Sequence, residues 1–381
     1  MGARLLSCLI LLLLSFAGPL RAAPAYDSKA PIAYMIDMSS GAVLYDKQST
    51  KRIPPASMTK MMTAYVLFEE LAAERLKLGQ TFRISEATAS EWSGKGSTMY
   101  LRGGQEVSVS DLLHGLITVS GNDAAIALAE GVSGSEEAFV ARMNETARKL
   151  ALKDSRFGTA NGWPDEGRTL VTAHDLAVLA QRTMADFPIL YRMFYANEKF
   201  TWNNITQIDR NPLLGRIAGA DGLKTGHTNE AGYCFTGSAV QGGRRLVMVV
   251  AGLGSFNSRI DESVKFMQWG FGEWRSEDLF AKESVVGSAK VQLGTQSHVN
   301  LFAPQKISVT LPKAGNVSYR LSIRYNGPIK APLEKGQRVA LLVAKFADGS
   351  EQVTPLLAAR DIAEAGFFGR AWNGLKGLAG L

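Results

Sequence analysis

Ser57 and Lys60 are the two residues whose types and spacing best suit chemistry. Three residues make about one helical turn, so these side chains share one face of a helix. The lysine amine can then take the proton of the serine hydroxyl, which is one form of activated serine nucleophile. Taken alone the pattern is weak, because a serine at a helix start is most often a cap and a nearby lysine is most often solvated.

Two further motifs lie later in the chain, Ser120-Gly121-Asn122 and Lys224-Thr225-Gly226. The Ser-x-Asn pattern is common, and Ser255-Phe256-Asn257 matches it too. The Ser-x-x-Lys and Lys-Thr-Gly patterns each occur once, and the three motifs stand in the order that serine enzymes of the penicillin-recognising type use. Together they favour a catalytic site over unrelated turn and strand residues.

The residues around the motifs strengthen this interpretation. They read Ile53-Pro54-Pro55-Ala56-Ser57, Val119-Ser120-Gly121-Asn122-Asp123-Ala124 and Asp221-Gly222-Leu223-Lys224-Thr225-Gly226-His227. From about Ala33 to its C-terminus the chain resembles the low-molecular-mass penicillin-binding proteins. These are the serine-type D-alanyl-D-alanine carboxypeptidases of the penicillin-recognising serine enzyme superfamily.

Ser57 is the candidate nucleophile and Lys60 its candidate base, which requires a neutral amine. The positive end of the helix and a second cation, Lys224, would both lower the pKa of Lys60 if the fold brings them close. Ser120 could relay the proton to the leaving group. The resemblance implies an oxyanion hole made by the main-chain N–H groups of Ser57 and His227.

Substrate binding is predicted for a second group of residues. Asn122 could bond the substrate amide, Lys224 and Thr225 suit a substrate carboxylate, and Gly226 lets the main chain come near the ligand. The resemblance adds Arg210 and Arg259 around the carboxylate, although a surface or structural arginine fits either position equally well. His227 could also tune the cleft. No residue of the 157–169 loop is nominated, because the loop departs from the commonest sequence of the family.

The elements that must position these residues are strands at both ends of a helical block. Two short apolar runs, 33–37 and 42–46, predict a β-hairpin, and helical periodicity dominates from 57 to 185. Strands follow at 222–226, 232–240 and 244–252, with Gly242-Gly243 as a hairpin turn. This pattern predicts an α/β (α+β) catalytic domain: one antiparallel sheet with helices on both faces and an inserted helical subdomain.

Four segments are predicted along the chain. Residues 1–25 read as a signal peptide, with an uncleaved anchor as the alternative, and residues 26–280 as the catalytic domain. Short alternating strands predict a small all-β domain over 281–359. Residues 360–381 carry apolar side chains at helical spacing and predict an amphipathic helix that lies on a membrane; a helix docked on the protein itself is the alternative.

Composition narrows the possible partners. Removal of residues 1–25 takes away Arg4 and Arg21, so the net charge falls from +7 to +5. The absence of any lysine- and arginine-rich run argues against nucleic acid, and the mild basic excess suits an anionic membrane surface. Cys234 is the only cysteine left, so no intrachain disulfide forms in the processed chain. The four histidines are scattered, so neither a metal nor an organic cofactor is expected.

The resemblance implies removal of the terminal D-alanine from D-Ala-D-Ala peptidoglycan stem peptides through an acyl-enzyme on Ser57. It also implies that β-lactam antibiotics acylate the same serine as inhibitors. With the signal peptide and tail, this predicts an exported enzyme held peripherally at the periplasmic face of the bacterial inner membrane. A β-lactamase and a non-catalytic membrane-bound sensor of muropeptides or β-lactams are the alternatives.

Overall fold

The computed structural model describes residues 24–366. Among them the chain divides into two units, one formed by residues 26–38 and 43–271 and the other by residues 39–42 and 272–366. The first unit contains every residue predicted for the site. In chain order its elements are β1 (Ile32–Asp37), β2 (Ala42–Lys47), α1 (Lys60–Ala72), β3 (Thr81–Arg83), α2 (Glu86–Trp92), β4 (Glu106–Ser108), α3 (Val109–His114), α4 (Asn122–Ser133), α5 (Glu136–Lys149), α6 (Ala173–Asp186), α7 (Pro188–Tyr195), β5 (Lys199–Trp202), β6 (Ile205–Ile208), β7 (Ala220–Thr228), β8 (Gly232–Gln241), β9 (Arg244–Leu253) and α8 (Phe256–Gly272).

A five-stranded sheet in the order β2-β1-β9-β8-β7 forms the centre of this unit. Strand β1 pairs antiparallel with β9, β9 with β8, and β8 with β7. The turn between β8 and β9 falls at Gly242 and Gly243, whose φ angles are +55° and +78°. Such angles suit glycine, which lacks a Cβ, and the predicted hairpin turn is therefore where the sequence placed it.

Helices cover both faces of the sheet. Side chains alternate along each strand, so every strand presents side chains to the helices on either face. Val247, Val249 and Ala251 of β9 belong to the large core that α1 and α6 share. On the opposite face α8 comes so close that a Cβ on Gly270 would lie 2.4 Å from the sulfur of Met35. A sheet with helices on both faces confirms the predicted fold class.

Polar caps mark where several of the inserted helices begin. The Thr172 hydroxyl, at the start of α6, accepts a hydrogen bond of 3.0 Å from the main-chain N–H of Asp175. Ser135 caps α5 by accepting from the N–H of Ala138 at 3.2 Å. Each cap satisfies one of the N–H groups that a helix leaves unpaired at its start.

The second unit contains only strands among its described elements. They are β10 (Trp274–Phe280), β11 (Val285–Gln292), β12 (His298–Phe302), β13 (Ile307–Pro312), β14 (Tyr319–Arg324), β15 (Ile329–Lys330), β16 (Arg338–Phe346) and β17 (Glu351–Ala358). Six of them form a sheet in the order β14-β16-β17-β12-β11-β15, and β10 pairs with β13. Val299, Leu301, Leu342 and Leu356 lie in a core within this unit, as expected for the predicted all-β domain.

Both predicted terminal segments lie largely outside the residues that the structure describes. Residues 1–23 of the predicted signal peptide and 367–381 of the predicted tail helix are not among the described residues. Residues 360–366 are not helical, and Ile362 bridges to Leu333 and Glu364 to Gly294, so a tail helix would begin after residue 366. Within residues 24–366, no helix combines the length and the apolar character that crossing a bilayer requires.

Candidate active site

Ser57 and Lys60 lie where a short 3-10 turn, Ala56–Thr59, passes into α1. The Lys60 Nζ atom is 2.9 Å from the Ser57 Oγ atom. Lys60 is completely buried, and its amine donates to the side-chain oxygen of Asn122 at 2.8 Å and to the main-chain oxygen of Asn161 at 2.7 Å. Both of these oxygens can only accept. A neutral amine has two N–H bonds for them and keeps its lone pair for the serine hydroxyl.

The surroundings of Lys60 favour this neutral form. Burial lowers the pKa of Lys60 well below its usual value, and the positive charges of Lys224 and Arg210 lower it further. The carboxylate of Asp123 acts in the opposite direction. Desolvation penalises an ammonium ion whose charge is not matched nearby, so the site provides a base without a histidine.

Ser120 and Asn122 stand where α3 continues through a π-helical turn, Gly115–Val119, and ends. Ser120 has a left-handed backbone, with φ of +66°. A left-handed serine is strained, and such residues cluster where side chains must be aimed at a ligand. The structure thereby brings the Ser120 side chain to the cleft that Ser57 lines.

A buried carboxylate fixes the segment that faces this turn. Asp123 accepts from the Thr98 hydroxyl at 2.5 Å and from the main-chain N–H groups of Met99 and Leu101 at 3.0 and 3.1 Å. The N–H of Asn122 also donates to the main-chain oxygen of Ser97 at 2.7 Å. These bonds fix residues 97–101, of which Ser97 lines the cleft.

Strand β7 supplies Lys224, Thr225, Gly226 and His227. A Cβ on Gly226 would lie 2.6 Å from the main-chain oxygen of Pro55, so the strand passes directly against the turn that carries Ser57. Only a residue without a side chain permits this approach. Lys224 and Thr225 are buried, whereas His227 is exposed and stacks on Tyr233 with 3.9 Å between ring centroids.

Lys224 is also a perturbed base. Burial lowers its pKa to about 7, the carboxylate of Asp209 opposes the shift, and the charges of Arg210 and Arg259 add to it. Burial in turn raises the pKa of Asp209 to about 6. An anionic ligand would restore the favourable environment of the Lys224 ammonium ion, because opposite charges stabilise each other most where water is excluded.

The two predicted arginines differ in their contacts. Arg210 is exposed and donates to the Ser97 hydroxyl at 2.6 Å. Arg259 is buried, and its guanidinium lies over the rings of Tyr233 and Phe256 at 5.5 and 5.1 Å. Burial lowers the pKa of Arg259 to about 10, which leaves it charged at neutral pH.

The three motifs meet around one cleft of about 400 Å³. Its walls include eight of the ten predicted residues: Ser57, Ser120, Asn122, Arg210, Thr225, Gly226, His227 and Arg259. The other two, Lys60 and Lys224, are buried. Seven further residues of the cleft wall were not predicted from the sequence: Gly96, Ser97, Gly162, Trp163, Thr228, Tyr233 and Phe256.

The 157–169 loop is the main omission, because the main-chain oxygen of Asn161 holds Lys60. The one sequence feature that could have pointed to this loop is the glycine in Asn161-Gly162-Trp163. Gly162 has φ of +76°, and a Cβ there would lie 1.9 Å from the main-chain oxygen of Ala56. A main-chain carbonyl leaves no trace in residue type, so motif spacing alone could not have revealed the contact.

No cluster of three or more histidine, cysteine, aspartate or glutamate residues able to hold a metal ion occurs within residues 24–366. Cys234 is buried, and burial raises the pKa of its thiol to about 11. A thiol with a raised pKa is a poor nucleophile, so this cysteine does not compete with Ser57 for the chemistry.

Comparison with known proteins matches both units. A sequence model of the D-alanyl-D-alanine carboxypeptidase family matches residues 20–255, and a model of the penicillin-binding protein 5 C-terminal domain matches residues 274–364. D-alanyl-D-alanine carboxypeptidase DacC of Escherichia coli is 37% identical over 356 residues, which cover 92% of this chain and 88% of that protein.

Two solved structures show the same likeness. Penicillin-binding protein 5 of Haemophilus influenzae superposes with a TM-score of 0.78 at 33% sequence identity. The match covers 90% of this chain and 100% of the Haemophilus chain. Penicillin-binding protein D2 of Listeria monocytogenes, in its cefotaxime-bound form, has a TM-score of 0.56 at 30% identity. It covers 65% of this chain and 99% of its own.

Proposed function

The chain belongs to the D-alanyl-D-alanine carboxypeptidase family, and from this premise we propose that it removes the terminal D-alanine from peptidoglycan stem peptides through an acyl-enzyme on Ser57. The observation that carries the proposal is the contact of 2.9 Å between the Ser57 Oγ and Lys60 Nζ atoms. A buried amine with a lowered pKa beside a hydroxyl is what serine activation requires.

Acylation follows from this contact. The Ser57 oxygen attacks the carbonyl carbon of the penultimate D-alanine while Lys60 takes its proton. The main-chain N–H groups of Ser57 and His227 bind the developing oxyanion. Lys60 then returns the proton through the Ser120 hydroxyl to the nitrogen of the terminal D-alanine. The C–N bond breaks, free D-alanine leaves, and the remaining peptide is esterified to Ser57 until water hydrolyses the ester.

Specificity for a peptide terminus comes from the carboxylate end of the cleft. Lys224 and Thr225 bind the terminal carboxylate, with Arg210 and Arg259 adding positive charge. Asn122 bonds the amide of the acyl group, and Gly226 gives the substrate access to the main chain of β7. A β-lactam carries a similar carboxylate and a reactive amide, so it acylates Ser57 as well. The cefotaxime-bound form of the similar Listeria protein supports this step.

Intact-protein mass spectrometry after β-lactam exposure, followed by peptide mapping, tests the proposal. The expected result is one adduct, on Ser57, with release of D-alanine from a D-Ala-D-Ala peptide. Ser57→Ala should lose both activities. Rapid β-lactam turnover without release of D-alanine would instead identify a β-lactamase. A stable adduct with no peptide turnover would identify a sensor.

The domain limits and location are part of the same proposal. Residues 26–280 form the catalytic domain and 281–359 the all-β domain, although β10 lies in the first range and pairs with β13. Residues 1–25 direct export. Residues 360–366 bridge to loops of the second unit, so within the predicted tail it is residues 367–381 that bind the anionic surface of the inner membrane from the periplasmic side. Deletion of residues 367–381 should move the protein from the membrane fraction to the soluble periplasmic fraction. Retention in the membrane would contradict this role of the tail.

A further inference from the structure

The main-chain oxygen of Asn161 is one of the two acceptors that orient the Lys60 amine, at 2.7 Å. Its position depends on the neighbouring peptide groups, since a carbonyl cannot move independently of its chain. Residues 157–161 form no helix or strand. Their geometry therefore has to come from contacts with other elements.

Both sides of residue 160 are held by side chains. The Thr63 hydroxyl of α1 donates to the main-chain oxygen of Ala160 at 2.6 Å. The Glu136 carboxylate, at the start of α5, accepts from the main-chain N–H of Ala160 at 2.8 Å. Thr63 lies one turn after Lys60 on the same helix, so the base and the group that positions its acceptor share one rigid element.

Asn144 fixes the start of the same segment. Its side-chain amide donates to the main-chain oxygen of Phe157 at 2.7 Å, and its side-chain oxygen accepts from the N–H of Phe157 at 2.9 Å. The segment is also seated on the turn that carries Ser57, because Gly162 packs against the main chain of Ala56. Little freedom remains for the Asn161 carbonyl.

We propose that Thr63, Glu136 and Asn144 are positioning residues of the reaction: they hold residues 157–161 so that the Asn161 carbonyl keeps the lone pair of Lys60 aimed at Ser57. None of the three lines the cleft, and they act through Lys60. The proposal rests on the roles proposed for Ser57 and Lys60. In this proposal, residues 157–161 orient the Lys60 amine toward Ser57.

Thr63→Val tests this directly, because valine keeps the shape of threonine and replaces its hydroxyl with a methyl group that cannot donate a hydrogen bond. The rate constant of acylation by a β-lactam, normalised to titrated active sites, should fall about 10- to 100-fold, as expected when a reacting group is misplaced by a fraction of an ångström or more. The dissociation constant of the β-lactam before acylation should stay unchanged, since Thr63 does not line the cleft. Thr63→Ser restores the hydroxyl and should restore the rate.

The pH dependence of the acylation rate separates the two possible roles of Thr63, because a substitution that only lowers stability would leave it unchanged. A carbonyl stabilises an ammonium ion more than a neutral amine, so loosening the Asn161 oxygen lowers the pKa of Lys60. The acid limb of the acylation rate should therefore move to lower pH in Thr63→Val. Lys224, Arg210 and Asp123, which also act on Lys60, are unchanged in this variant.

Thr183 provides a matched control. It is also fully buried, and its hydroxyl donates to the main-chain oxygen of Leu179 at 2.8 Å, within α6. Thr183→Val should lower thermal stability to a similar extent and leave the rate per active site and the acid limb unchanged.

Glu136 supplies a second, independent test if Thr63→Val does not fold. Glu136→Gln keeps an oxygen for the N–H of Ala160 and should act like the unsubstituted protein, whereas Glu136→Leu should reproduce the loss of rate. Unchanged rates and acid limbs in both Thr63→Val and Glu136→Leu would overturn the proposal. Acylation that persists in Ser57→Ala would instead overturn the proposed function, so the two failures are distinguishable.

Discussion

At the scale of single residues, the site is built on two buried lysines with opposite requirements. Lys60 has to be neutral to accept a proton, and burial together with Lys224 lowers its pKa. Lys224 has to be charged to bind a carboxylate, yet its own pKa is lowered to about 7. The two requirements overlap only within a limited range of pH.

This predicts a bell-shaped pH dependence of kcat/KM for a D-Ala-D-Ala peptide. Activity rises with pH as Lys60 of the free enzyme loses its proton, and falls as pH passes about 7, where Lys224 loses its own. Lys224→Arg should lower the maximum and move the alkaline limb to higher pH, because a guanidinium stays protonated. Steady-state kinetics across the pH range would measure this.

Lys149→Arg is the matched control, since Lys149 is an exposed lysine paired with Glu145 on α5. Its profile should coincide with that of the unsubstituted enzyme. An alkaline limb that stays in place in Lys224→Arg would assign the limb to another group.

The sequence was sufficient to predict the main reacting side chains of the site, but not the groups that contact them and shift their pKa values. Motif spacing and resemblance named Ser57, Lys60 and Ser120, and the structure brings them to one place. The Asn161 carbonyl was missed because every residue has one. Asp209 was missed because its effect on Lys224 depends on how a distant segment folds.

At the scale of elements, the site depends on how closely β7 approaches the Ser57 turn. The three strands β7, β8 and β9 each fall within two residues of the predicted limits, because period-two alternation and the glycine pair are strong local signals. Helices α2 and α7 and the β5–β6 hairpin were not predicted separately. They are short and carry weak periodicity, so tertiary packing determines them.

Gly226→Ala should move β7 away from the turn. The new Cβ would lie 2.6 Å from the main-chain oxygen of Pro55, a distance that real side chains do not tolerate. We expect acylation by a β-lactam to slow by about 10- to 100-fold, because the oxyanion donors and the nucleophile separate. Stopped-flow acylation with thermal unfolding on the same samples would measure both effects.

Gly79→Ala is the control for that substitution. A Cβ on Gly79 meets nothing within 4 Å, so both the rate and the stability should remain near those of the unsubstituted protein. Equal rates for the two variants would show that the close approach of β7 is not needed for acylation.

At the scale of the whole molecule, every predicted site residue lies in the first unit, between Ser57 and Arg259. The second unit has a hydrophobic core of its own and contributes no predicted site residue. The similar Listeria protein covers only 65% of this chain while matching over 99% of its own length.

A chain ending at residue 271 should therefore still be acylated at Ser57. We expect the rate per titrated active site to lie within about 3-fold of the full-length value, because all the predicted reacting groups belong to the retained residues and their geometry sets the rate. Labelling with a fluorescent penicillin, calibrated by active-site titration, would measure it. A folded fragment that does not react would show that residues 272–381 help to form the site.

The contact between Gly226 and Pro55 restricts how bacteria that carry this protein could evolve drug resistance. A mutation that pushes β7 outward to exclude an antibiotic also separates the groups that the cell's own peptide needs, so selection has little freedom along that strand. Escape that spares the natural reaction has to arise at the rim of the cleft. Trp163 and Phe256 are exposed there, and a change of side-chain size can discriminate between a bulky inhibitor and a slender peptide.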